Sequence, residues 1–269
     1  MAAVLNVAML GASGRMGRTI VPLLLASDDL RLSGALAAPG DPAVGQDAGV
    51  IAGAAPAGVA VTVDAAVALR DARVAIDFTL PAVSVADARA CAELGCALVI
   101  GTTGHDAMQR AELEAAARTI PIVLAPNMSL GVNLLFRLAE LAARALDADY
   151  DIEIFEAHHR HKVDAPSGTA LGLGRAAAQG RGTTLEAAGV YARHGQTGPR
   201  ERGTIGFSVL RGGDIVGDHR LIFAGPGEQI ELAHHAQDRS GFARGALAAA
   251  RWVAGRPPGL YSMMDVLGL

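Results

Sequence analysis

A short apolar segment that ends at a glycine turn and leads into a helix constrains the fold of this chain most. Residues 4–10 predict a buried strand, and residues 18–26 have the pattern of a helix. Glycines with the spacing G-x-x-G-x-x-G lie between them. They let the backbone approach a phosphate, and the helix start offers unpaired N–H groups. An ordinary tight turn is the alternative to the predicted dinucleotide site, which comprises Gly11, Ala12, Ser13, Gly14, Arg15, Met16 and Gly17.

Strands and helices alternate after this turn. Strands are predicted over residues 30–36, 74–78, 97–100 and 120–124, and helices over residues 83–94 and 106–118. Strands that alternate with helices form a parallel sheet, because each helix crosses back over the sheet before the next strand begins. The first part of the chain therefore predicts a Rossmann-type parallel sheet.

The pattern changes after residue 127. Several strands then follow one another, at residues 151–158, near 190–192, and at 205–210, 215–224 and 229–235, with helices at 130–146, 167–179 and 242–253. Such runs of strands predict an α+β domain with an open mixed sheet. The predicted fold class is α/β: residues 1–127, joined by 241–269, form a dinucleotide-binding domain, and residues 128–240 form a second, α+β domain.

Composition restricts the possible functions. Apolar residues make up 51% of the chain and the net charge is −4, so a packed interior is expected and nucleic-acid binding is not. No apolar run is long enough to span a bilayer, and the N-terminus lacks the basic start of a signal peptide. Cys91 and Cys96 cannot form a disulfide framework, and Cys91 is interpreted as a buried structural thiol. These features predict a soluble cytoplasmic protein without a membrane partner.

Two further strand ends are candidate nucleotide contacts, because ligands of open α/β sheets lie at the carboxyl ends of the strands. They comprise Gly101, Thr102 and Thr103 after one strand and Ala125, Pro126, Asn127 and Met128 after the next. The second strand lacks the acid that would hold the adenosine ribose and ends near Ala38 and Pro39. Asp41 is interpreted as a turn-forming aspartate, with a displaced ribose-binding acid as the alternative.

A basic segment follows the first strand of the second domain: His158, His159, Arg160, His161 and Lys162. If the strand stays extended, its period of two places His158, Arg160 and Lys162 on one face. That face would attract carboxylates, and a histidine beside an ammonium group suits proton donation. Zinc binding by His158, His159, His161 and Asp164 is the alternative, but consecutive positions do not converge easily on one ion, and no metal is expected.

The next helix begins at Ser167, Gly168 and Thr169, directly after Pro166. Ser167 is the predicted N-cap, and the open N–H groups of this helix start form a second anion site. Together with the basic segment, the helix start predicts a site for a small dicarboxylate. His219, His234 and His235 are predicted to lie on the sheet surface.

Several segments together resemble the 4-hydroxy-tetrahydrodipicolinate (dihydrodipicolinate) reductases. They are GASGRMGR, IDFT, VIGTTG, NMSLGVN, DIEIFEAHHRHKVDAPSGTAL, GTIGFSVLRGGDIVGDH and GLYSMMDVL, in matching order along nearly the whole chain. The resemblance implies hydride transfer from NADH or NADPH to an unsaturated cyclic imine in lysine and diaminopimelate biosynthesis, giving tetrahydrodipicolinate. It also implies that the second domain binds substrate and joins the subunits of a homotetramer.

The resemblance assigns roles to individual residues. His158 and Lys162 match the proton donors, and His159, Gly168 and Thr169 match substrate contacts, to which the pattern analysis adds Arg160 and Ser167. Residues 11–17, 101–103 and 125–128 match coenzyme contacts. Ala38 stands where relatives often carry an acid followed by arginine, which leaves the choice between NADH and NADPH open.

Two other functions are compatible with the pattern. One is a nicotinamide enzyme that acts on a different small diacid, such as an amino-acid dehydrogenase. The other is a protein that senses NAD(H) without turnover.

Overall fold

The computed structural model describes residues 4–269 and divides the chain into two compact units. The first unit comprises Met1–Leu130 and Arg239–Leu269, and the second comprises Gly131–Asp238.

The first unit is built on a seven-stranded parallel sheet with the strand order β12-β6-β5-β4-β1-β2-β3. Its strands are β1 (Leu5–Leu10), β2 (Leu30–Leu36), β3 (Val61–Thr62), β4 (Val74–Asp77), β5 (Ala97–Ile100), β6 (Pro121–Leu124) and β12 (Gly259–Tyr261). Its helices are α1 (Arg15–Leu25), α2 (Ala48–Ile51), α3 (Ala65–Leu69), α4 (Pro81–Leu94), α5 (Ala107–Ala116), α9 (Ser240–Val253) and α10 (Met263–Leu267), together with the first residue of α6 (Leu130–Ala145).

Helices cover both faces of this sheet, which explains why its central strands are continuously apolar. Val7, Met9 and Ile76 point to one face and pack with α1 and α9. Ala8 and Leu10 point to the other face and pack with α3, α4 and α5. The predicted Rossmann-type parallel sheet is therefore confirmed, and the late strand β12, which the sequence pattern did not indicate, extends it at one edge.

The order of the strands reverses between β1 and β4. The chain runs outward from β1 through β2 to β3, and then returns to build β4, β5 and β6 on the other side of β1. Ligands of open α/β sheets bind at the carboxyl ends of the strands at such a switch point. The glycine turn after β1 lies at this position.

Substitution of Gly245 by alanine is expected to destabilise the first unit. A Cβ atom on Gly245 would lie 1.7 Å from the carbonyl oxygen of Met128, so α9 would have to shift away from that backbone. Overpacking of this kind costs about 1–3 kcal/mol. Gly241→Ala is the matched control in the same helix: its Cβ would meet nothing within 4 Å, and alanine favours a helix. Thermal denaturation of both variants checks this, and equal stability of the two would contradict it.

The second unit contains a five-stranded mixed sheet with the order β11-β10-β7-β9-β8. Its strands are β7 (Asp151–His158), β8 (Gly189–Val190), β9 (Ile205–Arg211), β10 (Gly217–Gly225) and β11 (Glu228–Ala236), and its helices are the remainder of α6, α7 (Gly168–Gly180) and α8 (Leu185–Ala188). Within this unit, α6 and α7 pack on one face of the sheet, against alternate residues such as Ile152, Ile154 and Phe223. The predicted open mixed sheet is confirmed.

Candidate functional site

The glycine turn of the first unit has the features that a pyrophosphate requires. Helix α1 begins directly after Gly14, which provides no side-chain cap, so the first N–H groups of the helix are available to an anion. Gly11 has a φ of +80°, and a Cβ on Gly17 would lie 2.4 Å from the carbonyl oxygen of Gly11. Helix α1 therefore packs onto the turn at a distance that only glycine permits, and the turn fits the phosphates of a dinucleotide.

Several of the predicted coenzyme contacts have buried side chains. Ala12 and Ala125 are almost fully buried, as is Met128, which lies under α9. These three residues can therefore meet a ligand only through their backbone groups. Thr103 is exposed at the carboxyl end of β5, and the side chain of Thr102 is buried beside it.

Asp41 lies shortly after the end of β2, where the sequence pattern lacks an acid. Its carboxylate accepts hydrogen bonds from the Ser13 hydroxyl at 2.6 Å and from the Ala43 N–H at 2.8 Å. These bonds, the one from Ser13 foremost, hold the pKa of Asp41 below its ordinary value. Asp41 therefore forms a turn, as predicted, and its negative charge lies beside Ser13 of the glycine turn.

The second unit contains a buried carboxylate that sequence reasoning did not select as a site residue. Glu156 on β7 is fully buried and accepts four hydrogen bonds. The donors are His158 Nδ1 at 2.6 Å, the Ser167 N–H at 2.9 Å, and both terminal nitrogens of Arg211 at 2.7 Å. We call Glu156, His158, Ser167 and Arg211 the buried carboxylate cluster. Period-two alternation already places Glu156 and His158 on one strand face, whereas nothing local to Arg211 in the sequence indicates its role.

Glu156 remains ionised in this environment. Burial alone would raise its pKa, but the hydrogen bonds from His158, Arg211 and the Ser167 N–H outweigh burial and lower the pKa to about 2. The carboxylate accepts the Nδ1 hydrogen of His158, so Nε2 is the nitrogen left to exchange a proton. Nε2 lies beside Gly217, where an added Cβ would stand only 3.0 Å away.

The basic segment does not continue as a strand, and the predicted common face of His158, Arg160 and Lys162 is wrong. Strand β7 ends at His158, and the Lys162 N–H donates to the His159 carbonyl in a turn. Arg160 is exposed, whereas Lys162 is partly buried and pairs with Asp164 at 2.9 Å. Strand β9, which pairs with β7, also ends here, where the Gly212 N–H donates to the His158 carbonyl. Because β9 no longer pairs with the chain after His158, that chain forms a turn.

The start of α7 matches the prediction in its local geometry. Ser167 is the N-cap, and its hydroxyl accepts from the Ala170 N–H at 3.2 Å. Gly168 is exposed, and a Cβ there would meet nothing within 4 Å. Because Ser167 also donates its N–H to Glu156, the buried carboxylate cluster connects the end of β7 with the start of α7.

His219 is buried, so its predicted position on the sheet surface is wrong. Only 4% of the residue is exposed, and Nε2 lies 2.9 Å from the Ser167 hydroxyl oxygen. Its ring packs edge-on against His158 at 5.1 Å between centroids. Strand β10 places His219 opposite Glu156, a pairing that the sequence alone does not specify.

Acidification is expected to destabilise the protein through His219. Burial, followed by the neighbouring His158, lowers the pKa of His219 from 6.5 to about 4. Above pH 6.5 both the folded and unfolded states hold it neutral; between pH 6.5 and 4 only the unfolded state gains the proton, so stability falls. A difference of about 2.5 units corresponds to about 3 kcal/mol. His219→Gln, which cannot titrate, should lose correspondingly less stability between pH 7 and 4 in urea denaturation. The exposed His194→Gln should behave like the wild type.

The geometry gives no support to the zinc alternative. Within residues 4–269, no three histidine, cysteine, aspartate or glutamate side chains are arranged to hold a metal ion. In the same part of the chain, no helix has the length and apolar character that crossing a bilayer requires.

A parallel sheet with an open glycine turn at its switch point is typical of α/β dehydrogenases and reductases that bind a dinucleotide. Here a second unit with a buried acid–histidine pair accompanies it. Comparison with known proteins narrows this class. The N-terminal profile of the dihydrodipicolinate reductases matches residues 5–128, and the C-terminal profile matches residues 131–267.

Individual relatives agree with these profiles. The chain is 58% identical to the 4-hydroxy-tetrahydrodipicolinate reductase of Thiobacillus denitrificans over 264 residues, and 54% identical to that of Nitrosomonas europaea over 265 residues. Each comparison covers 98% of both chains. A dipicolinate-bound dihydrodipicolinate reductase from Paenisporosarcina has a similar fold, with a TM-score of 0.76, 24% identity, and coverage of 97% of this chain and 98% of that chain.

The chain belongs to the 4-hydroxy-tetrahydrodipicolinate (dihydrodipicolinate) reductase family. The resemblance inferred from the motifs is thereby confirmed, as is the prediction of an enzyme that uses NADH or NADPH.

Proposed function

We propose that this protein reduces 4-hydroxy-tetrahydrodipicolinate, or its dehydrated form, to tetrahydrodipicolinate in lysine and diaminopimelate biosynthesis. The observation that carries the proposal is the buried carboxylate cluster, which joins a histidine to a helix start; the turn between them contains Lys162, paired with Asp164. The family membership of nearly the whole chain supports the same substrate.

The first unit is proposed to bind the coenzyme. The open start of α1 and the glycine turn would hold the pyrophosphate, and Ala38, residues 101–103 and residues 125–128 would contact the rest of the dinucleotide. When bound, NADH or NADPH supplies a hydride. Asp41 places a negative charge beside Ser13, where it can accept a hydrogen bond from a ribose hydroxyl.

The second unit is proposed to bind the dicarboxylate and to supply the proton. The N–H groups of Gly168 and Thr169 would receive one carboxylate at the start of α7, and Ser167 would hold this start in place as its N-cap. His159 and Arg160 would contact the substrate from the turn after β7. His158 would donate the proton from Nε2, with Lys162 as the second donor and as a positive charge that stabilises the developing anion.

Kinetic assay of the purified protein tests this function directly. Aspartate semialdehyde and pyruvate, condensed by a separate synthase, generate the substrate, and consumption of NADH and of NADPH is followed by absorbance. Consumption that depends on the synthase supports the proposal. Turnover only with other keto-diacids or amino acids would identify a different dehydrogenase. Binding of NADH without consumption across the whole panel would identify a sensor.

The active form is proposed to be a cytoplasmic homotetramer joined through the sheets of the second units. Apolar side chains at Val209, Leu210 and Ile230 on β9 and β11 are more than one third exposed, and a subunit contact would cover them. Sedimentation or native mass spectrometry should give four times the chain mass of 27.4 kDa. A monomer at micromolar concentration would contradict this assembly.

A further inference from the structure

A fully buried aspartate lies at the carboxyl end of the first sheet and has no role in the chemistry proposed above. Asp77 is the last residue of β4 and is 0% exposed. Its Oδ1 accepts from the Thr79 N–H at 2.9 Å and from the Thr79 hydroxyl at 2.6 Å. Its Oδ2 accepts from the Thr102 hydroxyl at 3.2 Å, and the oxygen of that hydroxyl also accepts from the Thr79 N–H at 2.9 Å. One carboxyl group therefore ties the segment after β4 to the segment after β5.

The segment after β4 packs between two segments that are proposed to bind the coenzyme. A Cβ on Gly11 would lie 2.7 Å from the Phe78 carbonyl oxygen, and a Cβ on Gly101 would lie 2.2 Å from the Phe78 ring. The glycine turn and the segment after β5 thus both pack on this segment, and its Thr79 is held by hydrogen bonds to Asp77. A shift of this segment would move both neighbours, because packed interiors transmit displacement.

A second buried acid lies near Asp77. Asp87 on α4 is 4% exposed, and its Oδ2 has no hydrogen-bond partner within residues 4–269. Burial and then the charge of Asp77 raise the pKa of Asp87 to about 7. Burial also raises the pKa of Asp77, but all of its hydrogen bonds come from donors that favour its ionised form. Asp77 is therefore the carboxylate of the pair, and Asp87 holds the proton.

The other titratable groups around the pair do not change charge near pH 7. Cys91, which lies one turn along α4 from Asp87, has a pKa well above its ordinary value because of its contact with Cys96 and its burial. Burial holds the pKa of His105, after β5, below its ordinary value, although the charge of Asp77 opposes this; Arg110 and Asp106 are smaller influences. Between pH 6.5 and 8, Asp87 is thus the group whose ionisation places a second negative charge beside Asp77.

We propose that Asp77 is a positioning residue of the coenzyme site, which holds the segments after β1, β4 and β5 in the conformation that binds NADH or NADPH, and that Asp87 must be protonated for it to do so. The inference rests on the proposed coenzyme site. Ionisation of Asp87 repels Asp77, loosens its bonds to Thr79 and Thr102, and weakens coenzyme binding. The affinity of the protein for coenzyme is therefore expected to fall with rising pH.

Fluorescence titration with NADH at several pH values tests the proposal. The wild type should bind NADH about tenfold more weakly at pH 8.5 than at pH 6. This is the change expected if bound NADH raises the pKa of Asp87 by about one unit. Asp87→Asn should keep its affinity at both pH values. Asp77→Asn and Thr79→Val should bind about tenfold more weakly at pH 6, because each weakens hydrogen bonding within this group. Thr79→Ser, which retains the hydroxyl, should recover most of the loss, and the surface control Asp28→Asn should match the wild type throughout.

A second measurement separates this inference from the coenzyme assignment. Infrared difference spectroscopy of the coenzyme-free protein at pH 6 should show a protonated buried carboxyl that is missing in Asp87→Asn. Wild-type NADH affinity in both Asp77→Asn and Thr79→Val, or an unchanged pH profile in Asp87→Asn, would overturn the inference. Absence of NADH binding in the wild type would overturn the proposed function instead, while the infrared band would still report on the aspartate pair.

Discussion

Replacement of His158 by glutamine is expected to reduce kcat about 10²- to 10⁴-fold, the usual contribution of a positioned proton donor. Glutamine has a similar length and still donates a hydrogen bond to Glu156, but it cannot transfer a proton. The affinity for NADH should stay unchanged, because His158 belongs to the second unit and the proposed coenzyme contacts lie in the first. Stopped-flow kinetics and NADH fluorescence titration measure the two effects separately.

The matched control for this substitution is His161→Gln. His161 lies in the same basic segment but is exposed on the turn after β7, outside the buried carboxylate cluster. It should retain kcat within a factor of about three, since a solvated side chain contributes little to the transition state. Lys162→Ala should also lower kcat sharply. Wild-type turnover in His158→Gln or in Lys162→Ala would remove that residue from the proposed chemistry.

Replacement of Glu156 by alanine is expected to destabilise the folded protein by about 3–5 kcal/mol, the usual cost of removing one partner of a buried ion pair. The substitution removes the carboxylate that balances the charge of Arg211 and accepts from Nδ1 of His158, and Arg211 keeps only two backbone carbonyl acceptors. It also frees the Ser167 N–H at the start of α7. Urea denaturation at a fixed protein concentration measures the loss, since assembly of subunits contributes to stability.

Two further variants make the result specific. Glu231→Ala removes an exposed carboxylate that lies 3.6 Å from Arg220, so its cost should be only about 0–1 kcal/mol. Glu156→Gln keeps the volume of the side chain but loses the charge, and its stability should lie between those of the wild type and Glu156→Ala. A stability of Glu156→Ala equal to that of Glu231→Ala would show that the carboxylate does not hold the cluster together.

Much of the first sheet follows from local sequence patterns. Strands β1, β2, β4, β5 and β6 occur where the pattern predicts them, and most of their residues are apolar. The strand predicted near residues 190–192 overlaps the two-residue strand β8 only at Val190. The pattern gave no signal for α2, β3 and α3, or for β12, because each is at most five residues long and depends on its neighbours for pairing or cover.

The candidate site was only partly predictable. The basic segment and the helix start at Ser167 were visible because their residue types are unusual and adjacent in the sequence. The extended face of His158, Arg160 and Lys162 was an error of backbone conformation, since alternation holds only while a strand has a partner. Burial of His219 was missed because β10 alternates in the same way whichever of its faces is covered.

The sequence by itself determined the alternation of strands and helices, the glycine turn and the order of the chemically active residue types, because these depend on neighbours within a few positions. Only the tertiary structure decided which distant groups meet. Arg211 reaches Glu156 across 55 positions, and His219 reaches Ser167 across 52. Strand register brings them together, and burial then fixes the charge that each one carries, because a carboxylate or an imidazole removed from water depends on its hydrogen-bond partners.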